Sequence, residues 1–156
     1  MNTEEISFIL SHLLTNSRTH FLGVFASDKL PPINTIAAYT PCCYVANTDP
    51  TGWGGSHWVA FFHPLPNKLE FFDSYGRPPQ EFGYTFPKSI QISHNKFQIQ
   101  GLGSQVCGHF SIFFLYHRSQ NYTMYSIIKK FQSLPFSRSA SLVYSFVQKV
   151  NTRLNK

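Results

Sequence analysis

The stretch that most constrains the fold is residues 57–73. Two short apolar runs, His57-Trp58-Val59-Ala60-Phe61-Phe62 and Leu69-Glu70-Phe71-Phe72-Asp73, flank Pro64-Leu65-Pro66-Asn67. Proline and asparagine turn the chain there, and runs this short and this rich in aromatic and β-branched residues read as strands. A four-residue turn makes the pair an antiparallel hairpin. At its open end His57 begins one strand and Asp73 closes the other, while His63 lies beside the turn, at the wrong end to join them.

The remaining chain must cover that hairpin. With 156 residues it fits a single domain, 1–156, and can build a proper core. Aromatics make up 17% and charged residues 13%, the latter about half the usual share of ~25%. So much aromatic surface has to be buried, which excludes a disordered or fibrous chain. The apolar run Phe110 to Tyr116 falls far short of the ~20 residues that span a bilayer. Glu4 and Glu5 stand where a secretory leader would be basic, so no signal peptide is expected. The three cysteines, Cys42, Cys43 and Cys107, are too few for a disulfide framework and imply free thiols in a reducing compartment.

Elsewhere, Asn2-Thr3-Glu4-Glu5 reads as a capped helix start, and Ile6, Ile9, Leu10, Leu13 and Leu14 follow at helical spacing, predicting a helix over 3–16. Leu30-Pro31-Pro32 interrupts regular structure, Cys43 to Ala46 reads as a strand and residues 49–55 as a loop. A further strand is expected at Phe97-Gln98-Ile99-Gln100, followed by the loop Gly101-Leu102-Gly103-Ser104. A buried helix is expected from Val106 to His117, and two more helices near 122–133 and 139–152. Strands in the middle and helices at both ends give an α+β fold, a mixed or antiparallel sheet flanked by helices.

Charge is divided along the chain. Residues 1–81 hold all seven acids against four bases, a net −3, whereas residues 82–156 hold nine bases and no acid. A basic half suits a polyanion such as DNA; spaced-out bases are equally the solvated surface of an ordinary basic protein.

Cys107 stands where a glycine-rich loop meets a helix. Backbone N–H groups and the helix dipole favour a thiolate there, although a free cysteine is most often a small buried hydrophobe. A cysteine nucleophile needs a base in hydrogen-bond reach and a group to orient that base, roles open to His57 and Asp73. An acyl-transfer site also needs donors for the oxyanion; the Cys107 N–H is one, and the side-chain amide of Gln100 or Gln105 would serve as another. No Cys-x-x-Cys or His-x-x-x-His spacing supports zinc, so no metal is expected.

Together, His57-Trp58, Phe71-Phe72-Asp73-Ser74-Tyr75-Gly76 and Gln100-Gly101-Leu102-Gly103-Ser104-Gln105-Val106-Cys107-Gly108-His109-Phe110 resemble the adenovirus-type (adenain-like) maturation proteases of the SUMO-protease superfamily. Phe21 to Phe25, Asn47-Thr48 and Tyr144-Ser145-Phe146 extend the likeness, and the short chain suggests relatives in Polinton/Maverick elements, adintoviruses and virophages. The resemblance implies a papain-like fold with Cys107 as nucleophile, His57 as general base, Asp73 as its orienting acid and Gln100 as oxyanion donor. It places Trp58 beside the triad and gives Gly54 and Gly55 a part in shaping the substrate channel.

By resemblance, the function is a cysteine endopeptidase processing viral capsid or core precursor proteins during virion maturation, with preference for Gly near the scissile bond. The alternative is a deSUMOylating or deubiquitinating isopeptidase. Adenoviral relatives carry Glu where this chain has Asp73, and their peptide-tethering cysteine aligns with Ser89. A disulfide-linked peptide is therefore not expected; the sequence requires no cofactor, and DNA or a non-covalent peptide remains as an activator. A monomer without membrane association is expected, in the virion and in the host cytoplasm or nucleus.

Overall fold

The computed structural model describes residues 1–54 and 56–156. In chain order the elements are α1 (Thr3–Leu13), β1 (His20–Phe25), α2 (Ile33–Tyr39), β2 (Cys42–Asn47), β3 (Trp58–His63) and β4 (Lys68–Phe72). A 3-10 turn (Pro79–Phe82), β5 (Gln91–His94), α3 (Cys107–Ser119), α4 (Met124–Gln132) and α5 (Phe136–Leu154) follow. The strands lie side by side in chain order. The two inner pairings, β2/β3 and β3/β4, are antiparallel, and the outer pairings, β1/β2 and β4/β5, are parallel. The α+β expectation therefore holds, with a mixed sheet, and the hairpin runs as its residue pattern implied.

Period-two alternation gives the sheet two apolar faces. Cys43, Val45, Ala60, Phe62 and Phe72 face a core shared with α1, α3, α4 and α5. Cys42, Tyr44, Ala46, Val59, Phe61, Leu69 and Phe71 face a second core, closed by Ile36 of α2 with Tyr84 and Ile90. β2 is buried along its whole length, as a strand covered on both faces must be.

Two contacts hold α3 on the hairpin. Phe72, the residue before Asp73, stacks on Phe114 with ring centroids 4.6 Å apart, a geometry that adds about 0.5–1.5 kcal/mol to the burial of both rings. Arg118 forks onto Glu70 with two 2.8 Å bonds while its guanidinium lies 4.3 Å over Phe62. Gly108 lets the start of α3 come close: a Cβ there would stand 3.1 Å from Met1 Sδ and 3.3 Å from both Ile6 Cδ1 and Trp58 Cδ1.

Local sequence explains most boundaries. Asn2 and Glu5 form the expected capping box, and α1 ends at Leu13, short of the predicted residue 16. The expected strand at 97–100 is not one. The N–H groups of Ile99 and Gln100 both go to the Ser74 carbonyl, at 2.9 and 3.1 Å, instead of to a ladder, and the fifth strand is Gln91–His94. Among the described residues no helix is long and apolar enough to cross a membrane.

Candidate active site

His57 lies one residue before β3 and Asp73 one residue after β4, so the hairpin's open end brings them together. His57 Nε2 and Asp73 Oδ1 are 2.5 Å apart, with His57 8% exposed and Asp73 fully buried. A carboxylate only accepts, so Nε2 carries the proton and Nδ1 is left for Cys107. Cys107 opens α3, where no side chain caps the helix, and lines one cleft with His57, Trp58 and Gly108, near enough for the His57 side chain and the Trp58 and Gly108 N–H groups to act on its thiol.

The Asp73 carboxylate is held from every side. Oδ1 also accepts the Tyr75 N–H at 3.2 Å, and Oδ2 accepts the Arg77 main-chain N–H and Nε–H, each at 3.0 Å. Its backbone is clamped by Asn95, whose Oδ1 accepts the Asp73 N–H at 3.0 Å and whose Nδ2 donates to the Asp73 carbonyl at 2.6 Å. The His57 ring lies 5.1 Å from Tyr75 and 6.0 Å from Phe82. These contacts fix the imidazole's plane as well as its tautomer.

The electrostatics follow from this geometry. Burial alone would lower His57, but the hydrogen bonds and charges of Asp73 and Cys107 reverse that and raise it to about 8. Burial alone would raise the Cys107 thiol, but His57 and the N–H groups of Trp58 and Gly108 bring it below its ordinary value. Burial would also raise Asp73; His57, Arg77 and the Tyr75 N–H hold it below the ordinary carboxylate value instead. These shifts all favour the charged forms: a thiolate beside an imidazolium, with an ionised carboxylate behind it.

A cleft of about 360 Å³ opens over these groups, lined by Ser56, His57, Trp58, Tyr75, Arg77, Ser104, Gln105, Cys107 and Gly108 together with Met1. An adjoining cleft of about 400 Å³ shares Met1 and Trp58 and runs along residues 49–54, Gly54 included. Gly55 lies outside the described residues. Gln100 is 1% exposed and engaged at both ends of its amide. Its Oε1 accepts from Ser74 Oγ at 2.5 Å, and its Nε2 donates to the Ser104 carbonyl at 3.0 Å, which leaves one amide hydrogen. Gln105, not Gln100, lines the cleft.

The structure thus unites His57, Asp73, Cys107 and Trp58. It sets Gly54 along the adjoining channel and Gln100 behind the loop that borders the cleft. Sequence reasoning missed Ser74, Tyr75, Arg77, Phe82 and Asn95. The dense turn Asp73-Ser74-Tyr75-Gly76-Arg77 was the available signal for Ser74, Tyr75 and Arg77; Phe82 and Asn95 gave none. His63 sits at the far end of the hairpin, hydrogen-bonded to Tyr44 at 3.0 Å and lowered to about 4 by burial. Among the described residues, no group of three His, Cys, Asp or Glu is placed to hold a metal ion.

No protein-family model and no curated protein sequence matches the chain. Its likeness is one of fold, to solved structures that include a protease. The pS273R protease of ASFV superposes with a TM-score of 0.61 at 17% identity, covering 90% of this chain and 64% of that one. A second structure of the same protease gives 0.62 at 16%, covering 89% and 63%. The central domain of the uncharacterized Lpg1148 protein of Legionella pneumophila gives 0.60 at 16%, covering 100% and 98%. The chain spans less than two thirds of the ASFV protease's length, and at such identities the likeness shows a shared fold.

Proposed function

We propose that this chain is a cysteine endopeptidase with Cys107 as nucleophile, His57 as its acid–base partner and Asp73 as the group that orients His57. One observation carries the reading: a buried His–Asp pair and a thiol at a helix N-terminus line the same cleft. The Cys107 thiolate attacks the scissile carbonyl carbon, and the oxyanion is met by the Cys107 N–H and a glutamine amide. His57 gives its Nδ1 proton to the leaving amine as the thioester forms. His57 then takes a proton from water as the water oxygen attacks the thioester; collapse releases the acid product and expels the Cys107 thiolate, restoring the thiolate and imidazolium.

Gln100 is the oxyanion donor carried over by resemblance, and its uncommitted amide hydrogen suits that role; Gln105, on the cleft wall, is the competitor. The adjoining channel past Trp58 and Gly54 would take the extended substrate. Viral capsid or core precursor proteins with Gly beside the cut are the proposed substrates, an adenain-like maturation role whose support is the residue pattern. The acid-free stretch 82–156 is the proposed contact for DNA.

The test is a thiol-reactive electrophilic peptide ending in Gly, with mass spectrometry to locate the adduct. Cys107 is the expected site, and modification elsewhere, or none in folded protein, overturns the reading. Offering a Gly-containing precursor peptide beside a SUMO or ubiquitin fusion then separates endopeptidase from isopeptidase.

A further inference from the structure

We propose that Arg77 is a positioning residue for this reaction, neutralising part of the Asp73 charge and so setting how firmly His57 keeps its proton. The inference rests on the protease reading. Arg77 supplies two of the four hydrogen bonds on the Asp73 carboxylate, one from its main chain and one from Nε, both at 3.0 Å on Oδ2. The turn that returns it is closed by the Gly76 N–H on the Asp73 carbonyl at 2.8 Å. Its guanidinium lies 5.1 Å over Tyr75 and 4.7 Å over Phe82, the two rings that also flank His57. One aromatic pair thus holds both cationic partners of a single carboxylate.

The division of labour on that carboxylate is clean. Oδ1 meets the imidazole and Oδ2 meets the guanidinium. A buried carboxylate facing one imidazole alone would hold that imidazolium tightly and make it a poor acid toward a leaving amine. A second cation on the far oxygen weakens that hold without breaking the bond that orients the ring. The charged and titratable groups facing His57 are Asp73, Tyr75 and Arg77 from the turn after β4 and Cys107 from α3; Phe82, from the 3-10 turn, carries none, and Met1 borders the same cleft. The Arg77 side chain is 41% exposed, so solvent screens part of its charge.

The experiment is an NMR titration of the His57 imidazole in histidine-labelled protein, assigned by its loss in His57→Ala, for wild type, Arg77→Gln and Arg77→Lys. In Arg77→Gln the midpoint should move upward by roughly 0.5–1 pH unit. Arg77→Lys should fall between that value and wild type, because its charge stays but its fork does not. The alkaline limb of kcat/KM should move with the midpoint, a shift that a merely structural role would not produce. If Arg77→Gln does not fold, Arg77→Lys carries the test, with a midpoint above wild type expected. A wild-type midpoint near 8 that stays put in every folded variant overturns the Arg77 role alone. A wild-type midpoint at the ordinary histidine value, with no depressed thiol, overturns the role and the protease reading together.

Discussion

Ser74 and Gln100 are joined twice: the Ser74 hydroxyl donates to Gln100 Oε1 at 2.5 Å, and the Ser74 carbonyl accepts the Gln100 main-chain N–H at 3.1 Å. The residue that follows the proposed triad acid therefore holds the glutamine that precedes the loop leading to Cys107. An error in placing one end of the site is passed to the other. Ser74→Ala should lower kcat with little change in KM, because it frees the amide without touching the cleft wall. An unchanged kcat would show that the double bond serves the fold only.

Gln100→Ala should reduce turnover by about 10²–10³-fold if its amide meets the oxyanion. Gln105→Ala is the paired measurement. Near-normal turnover in the first and a large loss in the second would move the role to Gln105, which already lines the cleft.

Cys107→Ala should abolish cleavage and leave the thermal midpoint close to wild type, since it removes one sulfur atom from a half-buried position. His57→Ala should be nearly as severe, because nucleophile and base act as a unit. Residual cleavage at even a tenth of the wild-type rate in Cys107→Ala would rule out that residue as the nucleophile.

The pH profile should be a bell. His57 is raised to about 8, so kcat/KM should fall above that pH as the imidazolium loses its proton. The acid limb should lie below the ordinary thiol value because Cys107 is lowered. Stability should show the matching linkage. The His57 contribution is complete below its unfolded value of 6.5 and is lost as pH rises through about 8. That of Asp73 is present above 3.8 and is lost as pH falls through its lower folded value. The lowered Cys107 thiol carries the opposite linkage, so the two oppose one another between pH 6 and 9; titration of the His57 imidazole itself measures the first, and a midpoint at or below 6.5 would contradict the His57 assignment.

Gly76→Ala should destabilise the protein by roughly 1–3 kcal/mol and reduce activity as well. Gly76 has φ of +77°, and a Cβ there would lie 2.8 Å from the Phe97 carbonyl carbon. The chain at 97–100 would have to move, and Gln100 with it. Full activity in Gly76→Ala would show that this segment does not position the site.

The hairpin, the capped first helix and the helix led by Cys107 were legible because each is specified locally, by a turn, a cap or a periodic apolar face. β1 was not, because its parallel partner β2 lies beyond α2 and nothing within Phe21 to Phe25 says which strand it will join. Phe97 to Gln100 misled for the opposite reason. Its alternation is that of a strand, yet its N–H groups are claimed by a single carbonyl brought in from another part of the chain. His57, Asp73 and Cys107, the proposed triad, stood out by type and order. Arg77 and Asn95 were not, since only the folded turn shows that both close on Asp73.

Cys42 and Cys43 are fully buried, and burial pushes the first up to about 11 and the second well above its ordinary value. Reagents such as Ellman's should therefore meet one reactive sulfur in each intact molecule and three in each denatured one. The protein carries its own gauge of integrity: a colorimetric count per mole reports what fraction of a preparation is assembled, before any substrate has been identified.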